Sequence, residues 1–266
     1  MGMRAGVTMS EPSRGTGIGA RSVLVTGGGR GIGAATALRC AQAGWAVAVN
    51  YSRDAAAAQA VVTRIRSEGG TAFAVQADVA DEAQVLAMFA CLDAELPPLG
   101  GLVNNAGVVD VGARVDAMSL ARWQRMFAVN VFGSFLCARE ALRRLSTRHG
   151  GTGGAIVNLS SAAARLGSPG QYVDYASAKA AIDTFTLGLA KEVAAEGVRV
   201  NAVRPGIIDT EIHASGGQPE RAKQLAPQVP MQRAGTADEV AQAIVWLLSD
   251  AASYTTGSVI DVTGGR

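Results

Sequence analysis

The sequence predicts one α/β domain with a doubly wound, parallel sheet of about seven strands and helices on both of its faces. After residue 21, short β-rich runs alternate with segments of helical period, which is the pattern of parallel strands joined by helical crossovers. The β-rich runs are apolar on both faces, as expected when helices cover both sides of a sheet. No linker rich in Pro, Gly or Ser and no internal repeat divides the 266 residues, which favours one domain over two.

The first segment, residues 1–20, shows neither helical nor strand periodicity and predicts a flexible tail. It contains the run Gly15-Thr-Gly17-Ile-Gly19, which no strand precedes, so we interpret this run as loop composition. The remaining residues, 21–266, form the predicted domain. Its strands are Val23–Thr26, Ala46–Asn50, Ala72–Gln76, Leu102–Asn104, Ala155–Leu159, Val198–Val203 and Ser258–Val262.

Several predicted helices carry N-cap signals. Asp54 precedes the alanine-rich run 55–62, where its side chain is placed to accept from the first free N–H groups. Asp81-x-x-Gln84 and Thr236-x-x-Glu239 have the spacing of capping boxes. Further helices are predicted over 34–43 and from Tyr175 to about Ala195.

Composition excludes several classes of function. The 24 basic and 22 acidic side chains leave a net charge of +2 without a basic patch, which argues against nucleic acid as a partner. No apolar run reaches the roughly 18 residues of a membrane span, and no signal peptide is recognisable, so we expect a cytoplasmic protein without membrane contact. The three cysteines, Cys40, Cys91 and Cys137, stand far apart in apolar surroundings and predict reduced core thiols. With only two histidines, we expect no metal site and no histidine-based catalysis.

Glycine is enriched, at 33 residues or about 12% against a typical ~7%. The informative cluster follows the first strand and opens the first helix, which is the context that a dinucleotide-binding turn requires. Glycines there let the backbone approach a pyrophosphate, and the helix N-terminus offers free N–H groups. A tight turn without a ligand is the alternative. The candidate cofactor residues of this turn are Thr26, Gly27, Gly29, Arg30, Gly31, Ile32 and Gly33.

The end of the second strand bears on the choice of cofactor. A carboxylate there would bind the adenosine ribose hydroxyls and favour NAD(H), but Asn50, Tyr51, Ser52 and Arg53 include no acid. Asp54 is already interpreted as a helix cap. Arg30 and Arg53 could instead bind a 2′-phosphate, although both could equally be solvated surface charges. We therefore favour NADP(H), with NAD(H) as the alternative.

A Tyr-Lys pair supplies candidate acid–base chemistry. Tyr175 and Lys179 are spaced i, i+4 and share one helix face. We expect the ammonium to lower the pKa of the phenol and make it a usable general acid or base. Ser161, at the carboxyl end of the fifth strand, lies where such sheets bind ligands. Tyr-x-x-x-Lys alone is a common surface pattern, and it gains weight here from the glycine turn and the serine.

Over residues 21–266, these motifs resemble the short-chain dehydrogenase/reductase family in its single-domain, Rossmann-type form. The resemblance implies that Asp78-Val79 lies near the adenine, and that Asn104, Ala106 and Gly107 line the cofactor site. It implies a catalytic set of Asn130, Ser161, Tyr175 and Lys179. The segment that holds the nicotinamide carboxamide is matched by Pro205, Gly206, Ile208 and Thr210. The serine-to-tyrosine spacing is one residue longer than in many members, which leaves Ser160 as the alternative to Ser161.

The resemblance implies NAD(P)(H)-dependent hydride transfer between nicotinamide and a carbonyl or secondary alcohol. Strings such as Arg165–Gly170 resemble glucose 1-dehydrogenases, so a sugar or small ketone is the expected substrate. The alternatives are a 3-oxoacyl thioester reductase, a nucleotide-sugar epimerase and a catalytically silent dinucleotide-binding sensor or scaffold. Family members usually form homotetramers, and a tetramer or dimer is expected. Residues 207–233, which include His213, could form a substrate lid or an ordinary surface excursion.

Overall fold

A computed structural model describes residues 21–266. The predicted tail and its Gly15–Gly19 run lie outside the described residues. The strands are β1 Ser22–Val25, β2 Ala46–Tyr51, β3 Ala72–Gln76, β4 Leu99–Asn104, β5 Gly154–Leu159, β6 Val198–Pro205, β7 Ile208–Asp209, β8 Gly235–Thr236 and β9 Val259–Val262. The helices are α1 Gly31–Gln42, α2 Ala55–Ser67, α3 Glu82–Glu95, α4 Leu120–Phe127, α5 Gly133–Leu145, α6 Ala163–Leu166, α7 Val173–Val193, α8 Ile212–Ser215, α9 Arg221–Leu225 and α10 Ala237–Leu248.

The central sheet has seven parallel strands in the order β3-β2-β1-β4-β5-β6-β9. This confirms the predicted parallel, doubly wound fold. Two apolar layers cover the sheet, because alternate residues of β1 point to opposite sides: Val23 and Val25 into one layer, Leu24 into the other. The strand order reverses between β1 and β4, which opens a crevice at the carboxyl edge of the sheet.

Strand β4 begins at Leu99, earlier than predicted, and passes through Gly100 and Gly101. Glycine weakens strands, so the sequence pattern argued against these positions. Close packing explains them: a Cβ on Gly100 would lie 3.0 Å from the Trp45 ring, and one on Gly101 would lie 3.2 Å from Val23. The short pair β7–β8 was not predicted either.

The cap predictions are mostly confirmed. Asp54 accepts a hydrogen bond from Ala57 N at 3.0 Å, and Thr236 with Glu239 forms a complete capping box. Asp81 caps α3, but the predicted box there is wrong. The amide oxygen of Gln84 accepts from Asp78 N at 2.9 Å instead of from the N-cap backbone.

Cys40 and Cys137 are fully buried, and burial raises the pKa of each thiol to about 12. Cys91 is half-buried and packs against the apolar layer that contains Leu24. Between residues 21 and 266, no helix has both the length and the apolar character needed to cross a membrane. In the same range, no three His, Cys, Asp or Glu side chains converge as a metal site would require.

Candidate active site

The glycine turn after β1 is locked to the end of β4. Thr26 Oγ1 donates to Val103 O at 3.2 Å and accepts from Asn105 N at 3.0 Å. Asn105 Nδ2 donates to Thr26 O at 2.8 Å and to Gly27 O at 3.0 Å. Asn105 lies in the segment Asn104-Asn105-Ala106-Gly107, which the family resemblance places at the cofactor site, but it was not among the candidate residues.

This turn fits a dinucleotide. Gly27 and Gly31 have φ values of +60° and +51°, which side-chain-bearing residues rarely adopt. A Cβ on Gly33 would lie 2.3 Å from Gly27 O, so only glycine permits this close approach of helix and turn. The Arg30 side chain, at the N-cap of α1, makes no capping hydrogen bond. The N-terminus of α1 is therefore open to an anion such as a pyrophosphate.

Near the end of β2, the exposed charged groups that could meet the adenosine ribose are arginines, because the only acid next to the strand caps a helix. Asn50 is buried and used structurally: its Oδ1 accepts from Gly27 N at 3.2 Å and its Nδ2 donates to Ala77 O at 3.0 Å. Asp54 is occupied as the cap of α2. Arg30 and Arg53 are exposed, and neither forms an ion pair with any residue of the described 21–266 range. Tyr51 and Ser52 lie at the same edge, at the end of β2.

Two predicted cofactor residues, Val79 after β3 and Asn104 at the end of β4, have side chains buried in the protein interior. Val79 is 4% exposed and packs against Gly133. Asn104 is buried, and its Nδ2 donates to Asn158 Oδ1 at 2.9 Å and to Ser134 O at 3.1 Å. The Asn104 side chain therefore joins β4 to β5 and α5. Asp78 lies at the carboxyl edge, where its carboxylate accepts from Ala80 N at 3.0 Å.

The two serines after β5 have different partners. Ser160 is buried, and its hydroxyl donates to Lys179 O at 3.2 Å. Ser161 forms a side-chain hydrogen bond with Tyr175 and accepts from Ala163 N at 3.1 Å. Of the two alternatives, Ser161 is the one that faces the tyrosine.

Tyr175 and Lys179 lie on the first turns of α7. Lys179 is 4% exposed, and its ammonium donates to Leu159 O at 2.7 Å and lies 5.7 Å from the centroid of the Tyr175 ring. Burial raises the pKa of Tyr175, and the hydrogen bond with Ser161 offsets part of that rise. The prediction that Lys179 lowers this pKa is wrong for this arrangement, because the ammonium is directed to Leu159 O and not to the phenol. Burial lowers the pKa of Lys179 itself to about 8, against the opposing charge of Asp183.

The buried ammonium predicts a pH-dependent stability. Below pH 8, Lys179 is protonated in the folded and unfolded chains alike, and its burial penalty is fully present. Between about 8 and its usual value of 10.5, only the unfolded chain keeps the proton, so the free energy of unfolding rises with pH. We expect the free energy of unfolding of the wild type, minus that of Lys179→Met, to rise by about 1–3 kcal/mol from pH 7 to pH 10. Urea unfolding across this range measures it, and a constant difference would contradict the assignment.

The N-terminus of α7 is braced by a buried ion pair. Arg122 of α4 donates from Nε and Nη2 to the two carboxylate oxygens of Asp174, at 2.7 and 3.2 Å. Its Nη1 donates to Val111 O at 2.6 Å, in the loop after β4. Because Asp174 directly precedes Tyr175, this fork fixes the backbone from which the phenol extends.

Asn130 lies in a short π-helical segment, Ala128–Phe132, between α4 and α5. Its amide is completely buried and exchanges hydrogen bonds with Val108, Oδ1 accepting at 3.2 Å and Nδ2 donating at 3.0 Å. A Cβ on Gly107 would lie 2.8 Å from Asn130 Oδ1 and 3.6 Å from Lys179 Nζ. Gly107 therefore brings Asn130 and Lys179 to the same point of the site.

A cavity of about 180 Å³ unites much of the predicted site. The predicted residues that line it are Ile32, Gly107, Ser161, Tyr175, Lys179, Pro205, Gly206, Ile208 and Thr210. The remaining predicted residues lie outside its lining: Asn130 behind Gly107, and the others along the β1–β3 edge or in the core. Further lining residues were not among the candidates, including Val109, Leu166, Tyr172 and Arg266. Ile207 and Arg221 also line the cavity and lie in the segment 207–233, which was predicted as a substrate lid or a surface excursion.

The turn after β6 closes this cavity. A Cβ on Gly206 would lie 2.7 Å from Thr263 Cα, so glycine is required where β6 passes the end of β9. Thr210 reaches back to the glycine turn, because its Cγ2 lies 3.3 Å from a Cβ built on Gly31. The carboxyl ends of β1, β4, β5 and β6 thus meet around one crevice.

The strand order β3-β2-β1-β4-β5-β6 is that of the Rossmann fold, which binds dinucleotides where the order reverses. The Ser161–Tyr175–Lys179 cluster lies at the same edge of the sheet, and together they define a Rossmann-type oxidoreductase. Comparison with known proteins narrows the class. A family model described as enoyl-(acyl carrier protein) reductase matches residues 27–266. The chain is 58% identical over 243 residues to the Escherichia coli K12 protein named uncharacterized oxidoreductase YgfF, covering 91% of this chain and 98% of that one. The chain belongs to the short-chain dehydrogenase/reductase family.

Two relatives with different named activities are equally similar to this chain, at 38% identity each. A 3-oxoacyl-[acyl-carrier-protein] reductase FabG of Staphylococcus aureus Mu50 is 38% identical over 92% of this chain and 97% of its own length. Glucose 1-dehydrogenase 2 of Bacillus subtilis 168 is 38% identical over 92% and 94%. A solved short-chain dehydrogenase/reductase mutant from Serratia marcescens superposes with a TM-score of 0.85 at 34% identity, covering 92% of this chain and 97% of the other. The chain is an oxidoreductase of this family, and these names do not select one substrate.

Proposed function

We propose that the protein is an NADP(H)-preferring reductase of small carbonyl compounds that also oxidises the corresponding secondary alcohols. One observation carries this proposal: Ser161, Tyr175 and Lys179 converge on one cavity at the carboxyl edge of the sheet.

When bound, the nicotinamide cofactor supplies or accepts the hydride. The Tyr175 hydroxyl donates its proton to the carbonyl oxygen during reduction. The Ser161 hydroxyl binds the same oxygen and stabilises its developing charge. Lys179 holds the cofactor ribose, and Asn130, through water, completes a path that returns a proton to Tyr175.

A panel of sugars, ketones, secondary alcohols and 3-oxoacyl thioesters, followed by nicotinamide absorbance with both cofactors, tests the proposal. Turnover of a small ketone or its alcohol is the expected result. Preferred turnover of thioesters would instead support the oxoacyl reductase alternative. Tight NADPH binding without turnover of any member would support the silent sensor or scaffold.

The preference for NADP(H) predicts a selective effect of two arginines. Arg30 and Arg53 are exposed cations at the end of the crevice where the adenosine ribose is expected, and Asp54, which directly follows Arg53, caps a helix. Arg30→Ala and Arg53→Ala should each raise KM for NADPH by roughly 3- to 30-fold, because a charge-assisted hydrogen bond to the 2′-phosphate is lost. KM for NADH should change little.

Arg148→Ala is the matched control, because Arg148 is 76% exposed and precedes β5, at the opposite edge of the sheet. Steady-state kinetics with both cofactors measures the effect. Equal increases in KM for NADPH and NADH would remove the 2′-phosphate argument.

A further inference from the structure

The active-site cavity is lined by cations beyond Lys179 and by no Asp or Glu side chain of the described residues. The additional cations are Arg221, at the start of α9, and Arg266. The catalytic roles proposed above use neither of them. Cations that have no acidic partner in a ligand cavity attract an anionic ligand.

Arg221 is held in place by neutral groups. Its guanidinium carbon lies 5.3 Å from the centroid of the Tyr172 ring, in cation–π geometry. Nη1 donates to Gln218 Oε1 at 2.6 Å and Nη2 to Gln171 Oε1 at 2.9 Å. No carboxylate within residues 21–266 forms an ion pair with it, so the guanidinium is oriented while its charge stays uncompensated.

Arg266 carries a stronger signal. Its Nη1 is buried and has no hydrogen-bond partner within the described residues. A buried, unsatisfied N–H group costs roughly 1–3 kcal/mol, and more when the group is charged. The neighbouring Arg165 donates to the backbone oxygen of Arg266 at 3.2 Å and pairs with Asp261, so the nearby acid is already engaged by another arginine. Arg266 also lines a neighbouring pocket with Glu239 and Asp261, but these two acids pair with other arginines. An anionic oxygen from a ligand would satisfy the orphaned nitrogen once the side chain turns into the cavity.

The rest of the wall strengthens any charge interaction in the cavity. Apolar side chains also line the cavity, among them Val109, Leu166, Ile207 and Ile212. Away from water, the attraction between a guanidinium and an anion is less screened than at the surface. An apolar cavity with uncompensated guanidinium groups favours a ligand that has a short hydrocarbon body and a negative charge.

We infer that the substrate carries an anionic oxygen group, a carboxylate or a phosphate, beside the carbonyl or alcohol that reacts. Arg221 and Arg266 bind that group, and the apolar wall contacts the carbon chain between it and the reacting centre. This inference rests on the proposed function and deepens it. The phosphates of the cofactor are a separate matter, because the open N-terminus of α1 and the exposed Arg30 lie at the glycine turn.

The test compares charged and neutral partners of one carbon skeleton. The first arm uses 4-oxopentanoate against methyl 4-oxopentanoate, and the second uses dihydroxyacetone phosphate against dihydroxyacetone, each reduced with NADPH. The wild type should turn over the charged member of at least one pair with a kcat/KM roughly tenfold or more above the neutral member. The arm that shows the preference distinguishes a carboxylate from a phosphate.

Arg221→Met and Arg266→Met keep much of the hydrocarbon stem and remove the charge. In at least one of these variants, kcat/KM for the charged substrate should fall by roughly 10- to 100-fold, while the neutral partner and KM for NADPH stay within about threefold. Arg148→Met is the matched control, since Arg148 lies outside the cavity lining at the other edge of the sheet. Thermal unfolding of each variant checks that it is folded, and Arg221→Gln and Arg266→Gln replace any variant that is not.

The outcomes separate the two proposals. Equal kcat/KM for charged and neutral substrates, or a preference that survives both arginine variants, overturns the inference while turnover itself upholds the reductase. Without turnover of any carbonyl compound the proposed function fails, and calorimetry with the NADP⁺ complex then decides the inference. Tighter binding of 4-oxopentanoate or dihydroxyacetone phosphate than of its neutral partner supports the inference, and equal binding overturns it.

Discussion

Tyr175→Phe should lower turnover by roughly 100- to 10,000-fold while the protein still binds NADPH with near wild-type affinity. Phenylalanine keeps the ring and its packing on α7 and removes only the hydroxyl that hydrogen-bonds with Ser161. The carbonyl oxygen then lacks its proton donor, whereas the glycine turn and the N-terminus of α1 are unchanged. Stopped-flow or steady-state absorbance measures turnover, and quenching of NADPH fluorescence measures binding.

Tyr254→Phe provides the matched control, because Tyr254 is fully exposed and lies outside the cavity lining. The control should show wild-type turnover. Turnover of Tyr175→Phe within threefold of the wild type would overturn the assignment of Tyr175 as the general acid.

Gly33→Ala should reduce NADPH affinity by about 100-fold or more. Its Cβ would lie 2.3 Å from Gly27 O and 2.5 Å from Asn105 Nδ2, so both the turn and the side chain that locks the turn to β4 must shift. Overpacking of this kind costs typically 1–3 kcal/mol in stability, and the shift also moves the N–H groups that would bind the pyrophosphate. Fluorescence titration measures affinity, and thermal unfolding measures stability.

Gly188→Ala makes the same change where no atom lies within 4 Å of the added Cβ. Because Gly188 is inside α7, alanine there should stabilise the protein by roughly 0.5–1 kcal/mol and leave NADPH binding unchanged. If Gly33→Ala bound NADPH as well as Gly188→Ala, the proposed role of the turn would be wrong.

The sheet was predictable because its strands are short, apolar and separated by helices with readable caps such as Asp54. Local patterns failed where a distant contact decides the structure. Strand β4 tolerates Gly100 and Gly101 because residues from other strands and helices fill the space that their side chains would occupy. The π-helical segment around Asn130 has no local signal, and the Asn130 amide in it bonds with Val108, 22 positions away.

The candidate site divides in the same way. Ser161, Tyr175 and Lys179 meet as their spacing predicted, because they sit at the end of a strand and on one face of a helix. The sequence pattern did not distinguish Asn104, which faces the core, from Asn105, which reaches the glycine turn. Alternation along a strand sends neighbours to opposite sides, and only the sheet shows which side each one takes. Arg221 and Arg266 belong to no motif, so only the folded chain reveals that they share a cavity.

The long-range locking of the glycine turn has a consequence for how the protein is made. Thr26 is held by Val103 and Asn105, partners that lie 77 and 79 positions further along the chain. Such non-local contacts slow folding, because a long loop must close before they form. The turn reaches its final conformation only once the segment beyond Asn105 has left the ribosome. A nascent chain that ends before β4 should therefore be unable to bind the cofactor, although it already contains every glycine of the turn.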